Sequence, residues 1–194
     1  MLSSIHPLGE RAKDNRFAVT ATLFVVGCVL GGITTGAVAA LVGLAVGALV
    51  SSNAAVVLVS VLVAAAAVVE GRGISLPCLH RQVDEAWLDR YRGWVYGVGF
   101  GFQLGAGVLT YITSAGVYAA IGAAVLVGHP LGAVAIMGLF GLVRGLSLVP
   151  ARSITSPEQL RSFFRRLHAT APTAQRVSCL TLAVVAIAAP VTLL

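Results

Sequence analysis

The chain has 194 residues, is 58% hydrophobic and carries charge on only 10% of its positions, far below the roughly 25% of soluble domains. Its net charge of +6 comes from basic residues that flank apolar runs, where they orient helices and meet anionic lipid head groups. A water-soluble domain and a nucleic-acid binder are both excluded by that pattern.

Met1–Arg16 holds Glu10, Arg11, Lys13, Asp14 and Arg16 and reads as a cytoplasmic tail, residues 1–16. The apolar stretch that follows is far longer than a signal-peptide core, so it reads as an uncleaved first span. From Phe17 to Val69 no residue is charged. A helix apolar all round has no face for solvent, and about 20 apolar residues suffice to cross a bilayer. Breaks at Thr34–Thr35–Gly36 and Ser51–Ser52–Asn53 divide residues 17–69 into three short spans.

Residues 70–93 form a loop of balanced charge that contains Cys78. Within it, Asp84–Tyr91 is expected to form an interfacial helix, with Trp94 and Tyr96 suited to the interface beyond. The second apolar block, residues 94–149, is broken near Thr113–Ser114 and at Gly128–His129–Pro130; the latter is a turn, because proline disfavours helix in the residue before it. The two blocks align at an offset of 79: Val29, Leu30, Ile33 and Thr34 fall opposite Val108, Leu109, Ile112 and Thr113. A three-span unit repeated once lies inverted in the membrane, the build of many secondary transporters.

Residues 150–176 contain five arginines against Glu158 alone. Ser156–Pro157–Glu158 reads as a helix start, and Leu160, Phe163, Phe164 and Leu167 give the helix an apolar face, as in a basic amphipathic helix on the membrane surface. Residues 177–194 form a last span. The positive-inside rule then puts the N-terminus in the cytoplasm of a cell-membrane protein, with residues 70–93 on the other side.

Polar groups inside the apolar blocks are the first candidates for chemistry, since they are costly in hydrocarbon. Arg144 either faces a cavity that binds an anion or snorkels to the interface. Thr34, Thr113 and Ser114 sit at equivalent breaks, where hydroxyls and freed carbonyls could line a substrate site; the alternative is hydroxyls bonding back to helix carbonyls. Gln103 could contact substrate or bond across helices, while Gly97, Gly101 and Gly105 form GxxxG spacings that suit close packing. Cys28 and Cys78 are the candidates for thiol exchange, although the offset places Gly107, not a second cysteine, opposite Cys28. No metal-ligand spacing, catalytic constellation or cofactor motif is visible, so an enzyme is disfavoured. The spans also lack an acid of the kind that proton coupling needs.

The three-plus-three plan and the small-residue-rich first and fourth spans resemble the LysE-type superfamily, which includes amino-acid exporters, cation exporters and the DsbD/CcdA thiol-electron carriers. The resemblance covers Phe17–Val149. It implies a reactive cysteine in the first span of each repeat, and Cys28 matches only the first.

The expected fold is therefore all-α: a polytopic membrane helical bundle of six or seven spans, a 3+3 inverted repeat plus one C-terminal span. The expected function is movement of a small solute or ion between the repeats, near Thr34, Thr113, Ser114 and Gln103, with Arg144 as charge partner. A thiol-disulfide electron carrier and a non-catalytic subunit that docks a membrane-protein partner are the alternatives.

Overall fold

The structure, a computed structural model, describes residues 5–74, 92–110, 112 and 114–191. Thr113, Cys78 and the expected helix at 84–91 lie outside the described residues. All regular structure among those described is helical. Helix α1 (Pro7–Ala12) starts on His6, whose Nδ1 accepts from the Gly9 amide at 3.1 Å. Helix α2 (Phe17–Gly47) is 31 residues long, and α3 (Ser52–Arg72) follows a short turn capped by Ser51. Helices α4 (Gly93–Gly105) and α5 (Gly116–Leu126) are two short pieces on either side of a non-helical stretch. Helix α6 (Pro130–Leu146) begins at the expected Gly–His–Pro turn: Gly128 has φ +69°, His129 Nδ1 accepts from the Gly132 amide, and Pro130 takes the first position. A 3-10 turn (Val149–Ser153) leads to α7 (Pro157–Val191), a single helix of 35 residues. The basic segment and the last apolar segment are thus continuous, where a separate surface helix and span were expected.

Among the described residues, four helical stretches are long and apolar enough to cross a membrane: Phe17–Gly47, Ser52–Arg72, Pro130–Ser153 and Pro157–Ala189. Residues 17–69 contribute two of them, where the sequence pattern pointed to three. The break expected at Thr34–Thr35–Gly36 is absent because each residue there is used by the helix. Thr34 donates back to the Leu30 carbonyl at 2.8 Å, Thr35 donates to the Ala106 carbonyl at 3.0 Å, and Gly36 brings the backbone onto Ala133 and Val134 of α6. Hydroxyls and glycine in an apolar helix marked packing here, not a turn.

Helix α2 is the central column. Helix α4 runs parallel to it, with Gly97 against Thr20, Gly101 against Phe24 and Gly105 against Cys28. Helix α5 continues upward in the same direction, its Val125 against Gly43. Helix α6 runs the opposite way on the other side, with Ala133 by Gly36, Met137 by Gly32 and Gly145 by Val25. The leading helices of the two apolar blocks therefore run parallel, whereas members of an inverted pair run antiparallel. Helix α3 leans on α5 and α7.

Helix α4 starts at the end of the bundle where α2 begins, since Gly93 lies against the Asn15 side chain. Residues 17–69 form two long apolar helices rather than the three short spans expected, and most of the loop at 70–93 lies outside the described residues. A core of Ile5, Phe24, Cys28, Tyr96, Phe100, Leu148, Ala151 and Ile154 fills this N-terminal end; Leu160 and Phe163 of α7 pack on it. A second core of Ala39, Ala124, Ala133 and Met137 fills the other half.

Candidate functional site

The α4–α5 crossing is interrupted between Ala106 and Ala115, midway along α2. Gly107 permits the turn, with φ +77°, in the left-handed region that favours glycine. The interruption frees backbone groups at both helix ends, and neighbours satisfy two of them. Thr35 donates its hydroxyl to the Ala106 carbonyl. Glu70, in the last turn of α3, accepts from the Ala115 amide at 2.8 Å and from the Ser114 hydroxyl at 3.2 Å, which places a carboxylate at the positive end of α5. The Thr110 hydroxyl, in a residue only 6% exposed, has no hydrogen-bond partner among the described residues.

Of the residues predicted to line a substrate site, Ser114 is at this break. Thr34 is not: it is exposed and spends its hydroxyl on its own helix. Gln103 is half-buried, in the last turn of α4. Thr35, expected at a break together with Thr34, does reach this one, and the residues missed are Thr110 and Glu70. Thr35 was legible, because Gly31, Thr35, Ala39 and Gly43 recur every four residues and so share the inward stripe, from which Thr34 is about 100° displaced. Glu70 was hidden because it ends an apolar run and was counted with the loop. Thr35→Val is accordingly expected to destabilise the protein by about 0.6 kcal/mol, a typical interhelical hydrogen bond in a membrane protein, while Thr34→Val stays within about 0.5 kcal/mol of wild type; thermal unfolding of the two variants in one detergent checks this.

Arg144 lies nearer the N-terminal end, on α6. Its Nη1 is shielded from solvent and has no hydrogen-bond partner. Its guanidinium stands 5.4 Å from the centre of the Phe140 ring, within cation–π range. The same ring lies against Gly107 in the break, where a Cβ would meet Phe140 Cε1 at 3.2 Å. Phe140 thus separates Arg144 from the interruption. Cys28 is adjacent, fully buried with a free thiol, and close enough to Arg144 to interact electrostatically. Cys179, the other described cysteine, sits on α7 with its thiol on the Ala67 carbonyl. Cys78, named as the exchange partner of Cys28, lies outside the described residues.

A third polar cluster is new. Glu10, read from sequence as part of a solvated tail, is 1% exposed beneath the bundle. Tyr96 donates its hydroxyl to both Glu10 oxygens at 2.6 and 2.7 Å, Thr20 donates to Oε2 at 2.7 Å, and Asn15 donates to the Tyr96 oxygen at 3.2 Å. Tyr96 and Thr20 are 0% and 2% exposed. The Glu10 carboxylate is carried by α1, tucked under α2 and α4.

A cavity of about 510 Å³ opens at the far end, lined by Gly43, Val46, Ser52, Val56, Ala123 and Ile136 among others. Its size suits a ligand, but none of the polar groups above lines it. Among the described residues no three His, Cys, Asp or Glu side chains converge to hold a metal ion. The chain matches no family model, and no curated protein or solved structure is significantly similar to it, so the functional reading stands on the geometry of the break and its polar neighbours.

Proposed function

We propose that the protein is a membrane transporter that moves a small solute or ion past the interruption between α4 and α5. The observation that carries this reading is the Thr110 hydroxyl, buried and unpartnered in a helix broken midway along its packing column. Buried polar groups without partners are rare and call for a physical reason. Interrupted helices near mid-membrane are where transporters expose carbonyls and hydroxyls to their cargo. Ser114 and Thr35 supply further hydroxyls, and Gln103 an amide, along the same crossing. The reading does not depend on an inverted repeat.

Orientation follows from charge. Arg11, Lys13, Arg16, Arg92, Arg152, Arg161 and Arg165 belong to segments at the N-terminal end, whereas the turns at 48–51 and 127–129 carry no Lys or Arg. The positive-inside rule then favours a cytoplasmic N-terminus in a multi-pass cell-membrane protein.

The test is solute-induced current or tracer uptake in proteoliposomes, run over a panel of amino acids, organic acids and inorganic ions. Wild type is expected to move at least one solute, and Thr110→Val to slow it about tenfold, the equivalent of roughly 1.4 kcal/mol. Flux unchanged in Thr110→Val and Ser114→Ala, or no flux for any solute, would sink the proposal. A second reading, thiol-disulfide electron transfer, rests on the free thiol of Cys28 in the core at the N-terminal end of the bundle. A reductant-sensitive Cys28–Cys78 bond in native membranes would promote it.

A further inference from the structure

We infer that the Arg144 guanidinium is a binding site for an oxyanion, so that the solute handled at the break carries a carboxylate, phosphate or sulfate group; this rests on the transporter reading above. The argument is one of charge balance. A buried cation in a membrane bundle is costly unless paired, and such residues face the bundle interior and mark substrate or ion pathways. Arg144 has one nitrogen, Nη1, sealed from solvent with nothing to bond.

The described acids cannot serve it. Glu10 is engaged by Tyr96 and Thr20, and Glu70 by Ala115 and Ser114. Asp14 and Glu158 are exposed. The Phe140 face offers partial compensation and holds the guanidinium in place, but it is no hydrogen-bond acceptor. Nor can α6 rotate to carry the side chain away, because Gly141 and Gly145 hold the helix flush against the Cys28 and Val25 backbone of α2. No acceptor for Nη1 remains among the described residues, and an oxyanion from outside the chain would supply one. A guanidinium fork matches an oxyanion bidentately, and the Phe140 ring stands between this charge and Gly107 of the break.

Two sources share that chemistry, a free oxyanion and a lipid phosphate, and one experiment separates them. Thermal unfolding of the full chain is followed in phosphatidylcholine nanodiscs at matched ionic strength, with chloride, inorganic phosphate or sulfate, and again with phosphatidylglycerol added. Wild type is expected to gain several degrees from phosphate or sulfate over chloride. Arg144→Met should lose that gain, and the subtraction removes the general stabilisation that sulfate and phosphate give any protein. In chloride alone Arg144→Met is expected to unfold above wild type, because it deletes an unpaired charge. Arg144→Lys keeps the charge without the fork and should retain part of the gain, which holds the test if the methionine variant folds poorly.

An Arg144-dependent gain from free phosphate or sulfate identifies a soluble oxyanion; a gain only from phosphatidylglycerol identifies a lipid phosphate at the same site. Equal responses in wild type and Arg144→Met, or a methionine variant less stable in every condition, would overturn the inference. The two proposals fail separately. An Arg144-dependent gain without flux of any solute leaves the site and removes the transporter, whereas flux indifferent to Arg144→Lys and Arg144→Met leaves the transporter and removes the site.

Discussion

Gly141→Val is expected to leave no folded bundle in a size-exclusion profile, and Gly141→Ala and Gly105→Ala each to lower stability by about 3 kcal/mol or more, the upper end for overpacking. The reason is what the added carbon meets. At Gly105 and at Gly141 a Cβ would fall within the Cys28 peptide group, approached from α4 on one side and α6 on the other. A flexible side chain could turn aside, but a backbone carbonyl inside a 31-residue helix cannot. The helices would have to part, and the loss of contacts would spread along the column, since α2 makes its main packing with these two helices. A domain is stable by only about 5–15 kcal/mol, so the double alanine variant should not fold. Gly47→Ala is the control: nothing lies within 4 Å of a Cβ there, and alanine is the better helix former. Fluorescence-detected size exclusion after heating reads all five variants.

Glu10→Ala is expected to be the second severe change, costing about 2–4 kcal/mol. It strips the acceptor from two fully buried hydroxyls, those of Tyr96 and Thr20, and each unsatisfied buried donor costs about 1–3 kcal/mol. Tyr96→Phe should cost less, because the carboxylate keeps the Thr20 bond and the aromatic packing with Phe100 survives. The double variant Glu10→Ala/Tyr96→Phe should be less damaging than the sum of the two, with a coupling of about 1–3 kcal/mol. Additive effects in that cycle, read by thermal unfolding, would show that α1 is not held by this bond. Thiol labelling gives an independent reading: Cys28 lies in the same core as Tyr96 and Ile5, so loosening α1 should speed its modification in membranes, in a background where Cys78 and Cys179 are serine.

Local sequence signals held where the physics is local. The turn at Gly128–Pro130, the break at Ser51–Asn53 and the start at Ser156 are set by proline geometry and side-chain caps within three residues, and all three appear as expected. The break between α4 and α5 was also legible, near Thr113–Ser114. The inward residue at mid-α2 could be read from the four-residue stripe, once α2 was seen as one helix. The inverted repeat rested on matches of valine, alanine and glycine, which fit any apolar helix and say nothing of direction.

What the sequence determined alone was environment and secondary structure: long uncharged runs exclude water, and in hydrocarbon the backbone must bond to itself, so helices follow. Tertiary structure decided which polar groups are satisfied. Thr34 and Thr35 are neighbours of identical type, yet one bonds its own helix and the other crosses to α4. Glu10 and Asp14 stand four residues apart in one short segment, yet one is buried under Tyr96 and the other exposed. Composition cannot separate such pairs, because a partner across the bundle is a property of packing, and here packing is governed by where glycines let two backbones touch.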